Sequence, residues 1–395
     1  MKPITLLACA GFLAAGVAVA AAPPLPLSTA AGEGMAPARL ARMTDLMERS
    51  IASGEYLGAV SLVARNGKIV DWRAYGHRDL ARTRAMQPDA IFRIYSMTKP
   101  VASVAVLILM EEGRIASLDD PLAKYLAEFS GRAVTIRHAL THTSGFASAT
   151  QAMEDAADLK AYSEGAARLA QAAEPGTRFD YNSVNSEVAA RLVEVVSGTT
   201  FDAFLRERVF APLGMVDTGF TVPAGKLSRV AEMTSSDQDG KLVAFSVPGE
   251  NGRGMMRPYF SGAGGLYSTA ADFARFCQML LDGGELEGAS ILGRKSVELM
   301  MMNHLTHLDP PVNQYSKAEG FGLGGYVVLD VAGRGRLGSV GAFGWSGAGG
   351  TYFTIDRQER LVAILMMQHI AHDLPHDPQK PSARFYNLVY QSLVK

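Results

Sequence analysis

The most informative stretch of the sequence is Ile94-Tyr95-Ser96-Met97-Thr98-Lys99-Pro100, which lies where a strongly apolar run begins. Ser96 and Lys99 have the i, i+3 spacing that places two side chains on one face of a helix. A serine at a helix N-terminus also lies beside free backbone N–H groups and the positive end of the helix dipole. Both features suit a nucleophile that must become an alkoxide. The stretch therefore predicts an acylatable Ser96 with Lys99 as its first proton partner.

The composition is that of an ordinary globular chain. Its 395 residues are 48% hydrophobic and carry a net charge of −1, which gives no reason to expect nucleic acid or an anionic membrane as a partner. His138 and His142 are four residues apart, but no third ligand follows nearby, so we predict a helix end before Gly145 rather than a metal site. No nucleotide-binding motif is present either, so the sequence predicts no cofactor and no metal.

The N-terminus has the pattern of a secretory signal peptide over residues 1–22. Lys2 supplies the positive charge, Ile4 to Ala20 is apolar and small, and Ala18-Val19-Ala20 forms a cleavage site. A retained membrane anchor is the alternative, although the apolar run is short for a membrane span. We expect cleavage after Ala20, a linker over 23–35, and a periplasmic or secreted protein with no stable membrane association.

The first half of the chain begins with a helix and a hairpin. Apolar residues recur at helical spacing from Met35 to Ile51. Two β-rich runs, Gly58 to Ala64 and Lys68 to Tyr75, then flank Asn66-Gly67, and Asn-Gly between such runs is the strongest short hairpin signal. The order of helix and antiparallel hairpin predicts the first part of an α+β layer.

Strand patterns return near the C-terminus, after a mainly helical stretch. They predict a strand over Phe321 to Leu329 and a hairpin formed by Thr351 to Ile355 and Leu361 to Met367. The predicted fold class is α+β, with one antiparallel sheet built from both chain ends, flanked by helices. The sheet and its helices take residues 36–90 and 255–395, and a helical part of about 91–254 is inserted between them.

Together these stretches resemble the serine β-lactamase and penicillin-recognising superfamily, and most of all the class C β-lactamases and family VIII esterases. The resemblance covers nearly all of the mature chain that signal cleavage would leave. It rests on five stretches in the same order: Phe92 to Pro100, Leu140 to Gly145, Tyr181, Gly262 to Asp272 and Phe343 to Thr351. It implies a β-lactamase-like fold and an acyl-enzyme mechanism.

The resemblance also assigns site residues one by one. The S-x-x-K motif falls on Ser96 and Lys99, and the tyrosine of the Y-x-N motif falls on Tyr181, with Ser183 where the family has asparagine. The K-T-G position is similar to the W-G-G variant of family VIII esterases. The implied substrate-binding residues are Trp345, Ser346, Gly347 and Ser183, and the implied oxyanion hole is formed by the backbone N–H groups of Ser96 and Ala348.

These residue types fit a hydrolase of small esters. A charged Lys99 favours ionised Tyr181, whereas desolvation favours neutral Lys99, so we predict the pair as the proton-transfer group without choosing one base. Trp345 supplies no charge for the carboxylate of a β-lactam or peptide, which favours neutral carboxylic esters over acidic substrates. A class C-like β-lactamase or D-amino-acid-specific peptidase, acting on amides, is the alternative. It would need another cation, such as Arg334 or Arg336. A non-catalytic member of the fold is the third possibility.

Overall fold

The computed structural model describes residues 24–246, 257–372, 378 and 380–395, and the predicted signal peptide lies outside them. Within these ranges, no helix is both long enough and apolar enough to cross a membrane. The predicted boundary between the helical part and the second α/β part, near residue 254, also lies outside the described residues.

The main sheet has seven strands drawn from both ends of the chain. Their order is β2-β1-β7-β6-β5-β4-β3, and all neighbouring pairs are antiparallel. The strands are β1 (Gly58–Arg65), β2 (Lys68–Gly76), β3 (Glu319–Phe321), β4 (Tyr326–Val328), β5 (Phe343–Gly347), β6 (Thr351–Asp356) and β7 (Leu361–Met367). The predicted α+β class and the antiparallel sheet from both chain ends are confirmed.

The sheet is covered by helices on both faces. Strand β7, which lies between β1 and β6, has no exposed residue, and its side chains alternate between two cores, as the two-residue period of a strand requires. Val362, Ile364 and Met366 join the larger core with α4 (Ala270–Leu281). The intervening residues join the core under α1 (Pro37–Ala52) and α5 (Ser382–Tyr390).

The helical part is organised around two long helices, α2 (Thr98–Glu111) and α3 (Ser183–Ser197), which contact each other. Twelve residues of α2 are buried, so its N-terminus is fixed from all sides. Six further α-helices among the described residues have ten residues or fewer. They are Ile136–Leu140, Gln151–Glu154, Leu159–Arg168, Phe201–Leu205, Arg294–Met300 and Val331–Arg334.

Two stretches differ from the sequence prediction. The single strand expected over 321–329 is a hairpin of β3 and β4, because Gly324 takes a left-handed conformation (φ 88°) and reverses the chain. The segment expected as a linker up to residue 35 packs against the sheet where it is described. Leu25 is buried in the larger core, and Met35 is buried in the core under α1 and α5 and bridges to Leu393, so both side chains leave water.

Candidate active site

Ser96 lies in a tight turn that leads into α2. The turn Tyr95–Met97 has 3₁₀ geometry, and Tyr95 adopts a positive φ of 43°, which is strained for a bulky residue. The backbone N–H of Ile94 donates to the Leu266 carbonyl at 3.0 Å, which fixes the approach to this turn. The Ser96 side chain is partly exposed, as a nucleophile that meets substrate must be.

Lys99 lies one helical turn further on, buried beneath Ser96. Its Nζ donates to Ser96 Oγ at 3.1 Å and to the backbone carbonyl of Ala263 at 2.6 Å. Only 2% of Lys99 is exposed, so these contacts determine where the amine lies. The structure thus brings together the two residues that the sequence spacing predicted.

The loop that carries Ala263 is held by Glu187, a residue that the sequence analysis did not identify. The Glu187 carboxyl accepts from Ser261 Oγ at 2.5 Å and from the Gly262 N–H at 2.8 Å. Burial raises the pKa of Glu187 to about 7, opposed by the hydrogen bond from Ser261 and the charge of Lys99. Its i, i+3 spacing from the apolar Val184 placed a carboxyl on the buried face of α3, which was the available signal.

Tyr181 lies beside Lys99 at the start of α3. The Lys99 Nζ is 4.9 Å from the centroid of the Tyr181 ring, and the phenol oxygen accepts a hydrogen bond from Trp345 Nε1 at 3.1 Å. Behind it, the His142 ring lies 4.5 Å away. Burial, and next the charge of Lys99, holds the pKa of His142 well below its usual range. His142 therefore supports Tyr181 as a neutral ring.

Trp345 forms one wall of the site and also packs into the core. Its ring is 5.1 Å from Phe321, 5.2 Å from Tyr181 and 6.4 Å from Tyr326, and only 7% of the residue is exposed. Tyr315, which the sequence analysis did not identify, lies at the mouth of the site, 59% exposed and 5.8 Å from Tyr181. The site is therefore aromatic on this side.

The edge of β5 closes the other side of the site. Gly347 lies so close to the Ile94 carbonyl that a side chain there would overlap it. A cleft of about 430 Å³ results, and Ser96, Tyr181, Trp345, Ser346, Gly347 and Ala348 all line it. Ser183 does not, because it is the exposed first residue of α3. The neighbouring Asn182 amide instead donates to the Phe146 carbonyl at 3.0 Å.

The assembled residues have the arrangement that acyl transfer through a serine requires. The Ser96 hydroxyl lies 3.1 Å from the Lys99 amine, within hydrogen-bond range, and the Tyr181 phenol lies next to that amine. Within the described ranges, no three His, Cys, Asp or Glu side chains are grouped to hold a metal ion. The fold and this site define a serine hydrolase of the β-lactamase type.

Comparison with known proteins gives the same family. The profile of the family described as Beta-lactamase matches residues 43–380, so the chain belongs to that family, the serine β-lactamase and penicillin-binding protein superfamily. The superfamily inferred from the sequence is thereby confirmed.

Several relatives match over most of their length. The chain is 33% identical over 356 residues to Protein Rv1367c of Mycobacterium tuberculosis, covering 80% of this chain and 87% of that protein. It is 29% identical over 371 residues to Esterase EstB of Burkholderia gladioli, covering 84% and 91%. The solved structure of EstCE1, a hydrolase with promiscuous acyltransferase activity, matches with a TM-score of 0.76 at 22% identity, covering 89% of this chain and 99% of that one.

Proposed function

We propose that the protein is a carboxylesterase that cleaves small carboxylic esters through an acyl-enzyme on Ser96. The observation that carries the proposal is the hydrogen bond of 3.1 Å between Lys99 Nζ and Ser96 Oγ at the base of an aromatic cleft. The similarity to a relative named Esterase EstB supports the same reaction class.

The reaction would proceed in two balanced steps. Ser96 Oγ attacks the ester carbonyl carbon while its proton passes to the Lys99/Tyr181 pair, and the alcohol leaves with that proton. Water then attacks the acyl-enzyme, returns a proton to Ser96 Oγ through the same pair, and releases the acid. Backbone N–H groups of Ser96 and Ala348, which both line the cleft, would stabilise the oxyanion in each step.

Trp345 favours esters over β-lactams in this site. Its indole N–H is already used by Tyr181, and the side chain carries no charge to pair with a carboxylate near the reacting bond. A charge-assisted hydrogen bond contributes about 1.5–3 kcal/mol, so its absence weakens substrates that need one beside the scissile bond. β-Lactam or D-amino-acid peptide hydrolysis is therefore the competing activity to measure.

The first experiment compares hydrolysis of 4-nitrophenyl butyrate with that of a chromogenic cephalosporin. We expect ester turnover to exceed cephalosporin turnover and to be lost in Ser96→Ala. The matched control is Ser392→Ala, which removes the serine of the other S-x-x-K sequence, far along the chain. Dominant cephalosporin turnover would favour the β-lactamase alternative, and ester turnover that persists in Ser96→Ala would refute the mechanism.

We also propose that the protein is exported to the periplasm or beyond, on the pattern of residues 1–22. Mass spectrometry of the protein isolated from the expressing bacterium should give a mature N-terminus after Ala20. An intact Met1 in the recovered protein would contradict export by cleavage.

A further inference from the structure

We propose that Glu187 is a positioning residue for Lys99. Its carboxylate fixes the loop that carries Ala263, and the Ala263 carbonyl in turn fixes the amine of Lys99. The inference rests on the proposed function for the reaction itself, and it adds a residue that touches neither the substrate nor the reacting atoms. The effect is on the rate at which Ser96 reacts, because the amine must face the hydroxyl to take its proton.

The Ala263 carbonyl determines which way the Lys99 amine points. Lys99 Nζ donates to this carbonyl at 2.6 Å, and Ser96 Oγ lies 3.1 Å from the same nitrogen. An amine that takes a proton from a hydroxyl must direct its lone pair at that hydroxyl, so its N–H groups must point elsewhere. The carbonyl accepts one of those N–H groups. If it were displaced, the amine would be free to turn an N–H towards Ser96.

Glu187 holds the loop on both sides of Ala263. One of its carboxyl oxygens accepts from Ser261 Oγ, and the other accepts from the Gly262 N–H at 2.8 Å. Ser261 Oγ itself accepts from the Gly264 N–H at 3.2 Å, so the hydroxyl connects the far side of the loop to the carboxyl. An ionised carboxylate accepts at both oxygens, whereas the amide of glutamine has only one acceptor oxygen.

The loop also packs closely against the two long helices. A methyl group at Gly262 would lie 2.5 Å from the carbonyl oxygen of Ser186 on α3. At the other end, the Leu266 N–H donates to Thr98 Oγ1 at 3.2 Å, next to Lys99 on α2. The loop therefore connects the helix that carries the carboxyl to the helix that carries the amine, so a change at the carboxyl reaches the amine through it.

Burial gives the Glu187 carboxyl a charge that changes near neutral pH. Only 3% of the residue is exposed, and burial raises its pKa to about 7. Among the described residues, the charged and titratable groups that act on it are Lys99, Glu154, Tyr162 and Tyr259. The ionised form costs folding free energy but is the form that accepts both loop donors. Strongly shifted carboxyls of this kind are concentrated at functional sites.

The test measures the reaction of Ser96 with ethyl 4-nitrophenyl methylphosphonate, a neutral serine reagent. Ser96 Oγ forms a bond to phosphorus, 4-nitrophenolate leaves, and the serine proton passes to the Lys99/Tyr181 pair. Mass spectrometry of the labelled protein gives the second-order rate constant. At about pH 8.5 we expect Glu187→Gln to lower this constant about tenfold or more, and Ser261→Ala to lower it by a similar factor.

The pH dependence separates positioning from a role in stability alone. The ratio of the wild-type rate constant to that of Glu187→Gln removes the titration of groups that both proteins share. This ratio should rise about tenfold from about pH 5.5 to about pH 8.5, with its midpoint near pH 7. For 4-nitrophenyl butyrate, kcat should fall in the variant with little change in KM, since Glu187 does not line the cleft. A ratio that stays constant with pH would overturn the proposal.

The matched control is Glu194→Gln, also on α3. Glu194 accepts from Arg191 at 3.1 Å and from the Phe201 N–H at 3.2 Å, so it too joins a carboxyl to a backbone donor, but it does not contact the loop. This variant should keep the wild-type rate constant. Equal rate constants in wild type, Glu187→Gln and Ser261→Ala would overturn the proposal.

The reagent also distinguishes failure of this inference from failure of the proposed function. If Ser96 were labelled but 4-nitrophenyl butyrate were not turned over, the esterase proposal would be refuted, while the labelling rates would still decide the role of Glu187. A wild-type Ser96 that does not react with the phosphonate would overturn both.

Discussion

At the scale of single residues, Trp345 has two separable functions, because its ring fills the wall while its N–H donates to Tyr181. Trp345→Phe keeps most of the ring and removes the donor. A hydrogen bond of this kind contributes about 0.5–1.5 kcal/mol, so we expect kcat for 4-nitrophenyl butyrate to fall up to about tenfold with little change in KM. Steady-state kinetics measure both constants.

The matched control is the other tryptophan, Trp72, on β2. Its indole nitrogen has no hydrogen-bond partner among the described residues, so Trp72→Phe removes an aromatic ring of the same size without removing a bond. We expect the control to keep its kcat. Equal kcat in the two variants would show that the bond to Tyr181 has no part in turnover.

Glu187 makes the stability of the protein depend on pH. Burial raises the pKa of this carboxyl from 4.5 to about 7, so its stabilising contribution is complete below about pH 4.5 and is lost as the pH rises through about 7. Relative to Glu187→Gln, the wild-type free energy of unfolding should therefore fall by on the order of 2–3 kcal/mol from about pH 5 to about pH 8. Denaturant titrations at several pH values measure this difference.

Glu164 provides the control for that prediction, because its side chain is 43% exposed on the helix Leu159–Arg168, beside Lys160. The difference between wild type and Glu164→Gln should stay constant across the same pH range. A wild-type stability that rises with pH relative to Glu187→Gln would mean that the carboxyl is stabilised in its ionised form.

The sequence predicted site residues from local spacing and from the family resemblance, which supplied Tyr181 and Trp345, and it missed the supporting contacts that form only through the fold. Ser96 and Lys99 are joined by helical spacing alone, so their contact was predictable. The Ala263 carbonyl that binds Lys99 lies 164 residues further along the chain. Every residue has a backbone carbonyl, so the residue type at position 263 could not indicate this contact. Glu187 supports that carbonyl from a third segment, which requires the packing of α3 against the loop.

At the scale of elements, the residues at the turns explain why one hairpin was predicted and another was missed. Asn66 and Gly67 both adopt positive φ, as the predicted tight hairpin requires, and β1 pairs with β2 around them. The hairpin at Gly324 was missed, because a continuous run of apolar and glycine residues from Phe321 hides the reversal. Three glycines in that run permit either a flexible strand or a turn, and tertiary packing selects the turn.

A substitution at Gly347 on β5 tests how closely the strand must approach the turn that carries Ser96. An added methyl group would overlap the Ile94 carbonyl and Thr351 Oγ1, so Gly347→Ala must shift the strand or the turn that carries Ser96. We expect a destabilisation of about 1–3 kcal/mol and a fall in kcat. Thermal unfolding and initial rates of ester hydrolysis provide the two measurements.

The control for that substitution is Gly225→Ala, because a methyl group at Gly225 would have no atom within 4 Å. It should retain both the unfolding temperature and the rate. If Gly347→Ala were as stable and as active as this control, the close approach of β5 to Ile94 would have no importance for the site.

At the scale of the whole molecule, the sheet joins segments that are distant in sequence. β1 pairs with β7 over seven residue pairs, from Ala59 opposite Met367 to Arg65 opposite Leu361. The sequence predicted one sheet from both chain ends, because both ends have strand patterns around hairpin turns. It did not predict this register, since both faces of β7 are buried and its apolar run fits more than one alignment.

Arg65, at the end of β1, binds both the segment before α1 and the segment after α5 and so links them to this sheet. Its guanidinium donates to the carbonyl oxygens of Glu33 at 3.0 Å, Gly34 at 2.9 Å and Lys395 at 2.6 Å, and it pairs with Glu359 at 3.2 Å. Arg65→Met would leave several of these acceptors unpaired, so we expect a loss of about 3 kcal/mol or more in the free energy of unfolding.

The same substitution should leave kcat of the folded protein unchanged, because neither Arg65 nor its partners line the cleft. Arg42→Met is the matched control: its guanidinium also links α1 to the segment after α5, but through an exposed hydrogen bond to Gln391 at 3.0 Å. We expect that control to change stability by no more than about 0.5 kcal/mol. An equal loss of unfolding free energy in the two variants would show that the hydrogen bonds of Arg65 stabilise the protein no more than an exposed one does. Packing of Met35 and the helices would then hold the outer segments to the sheet.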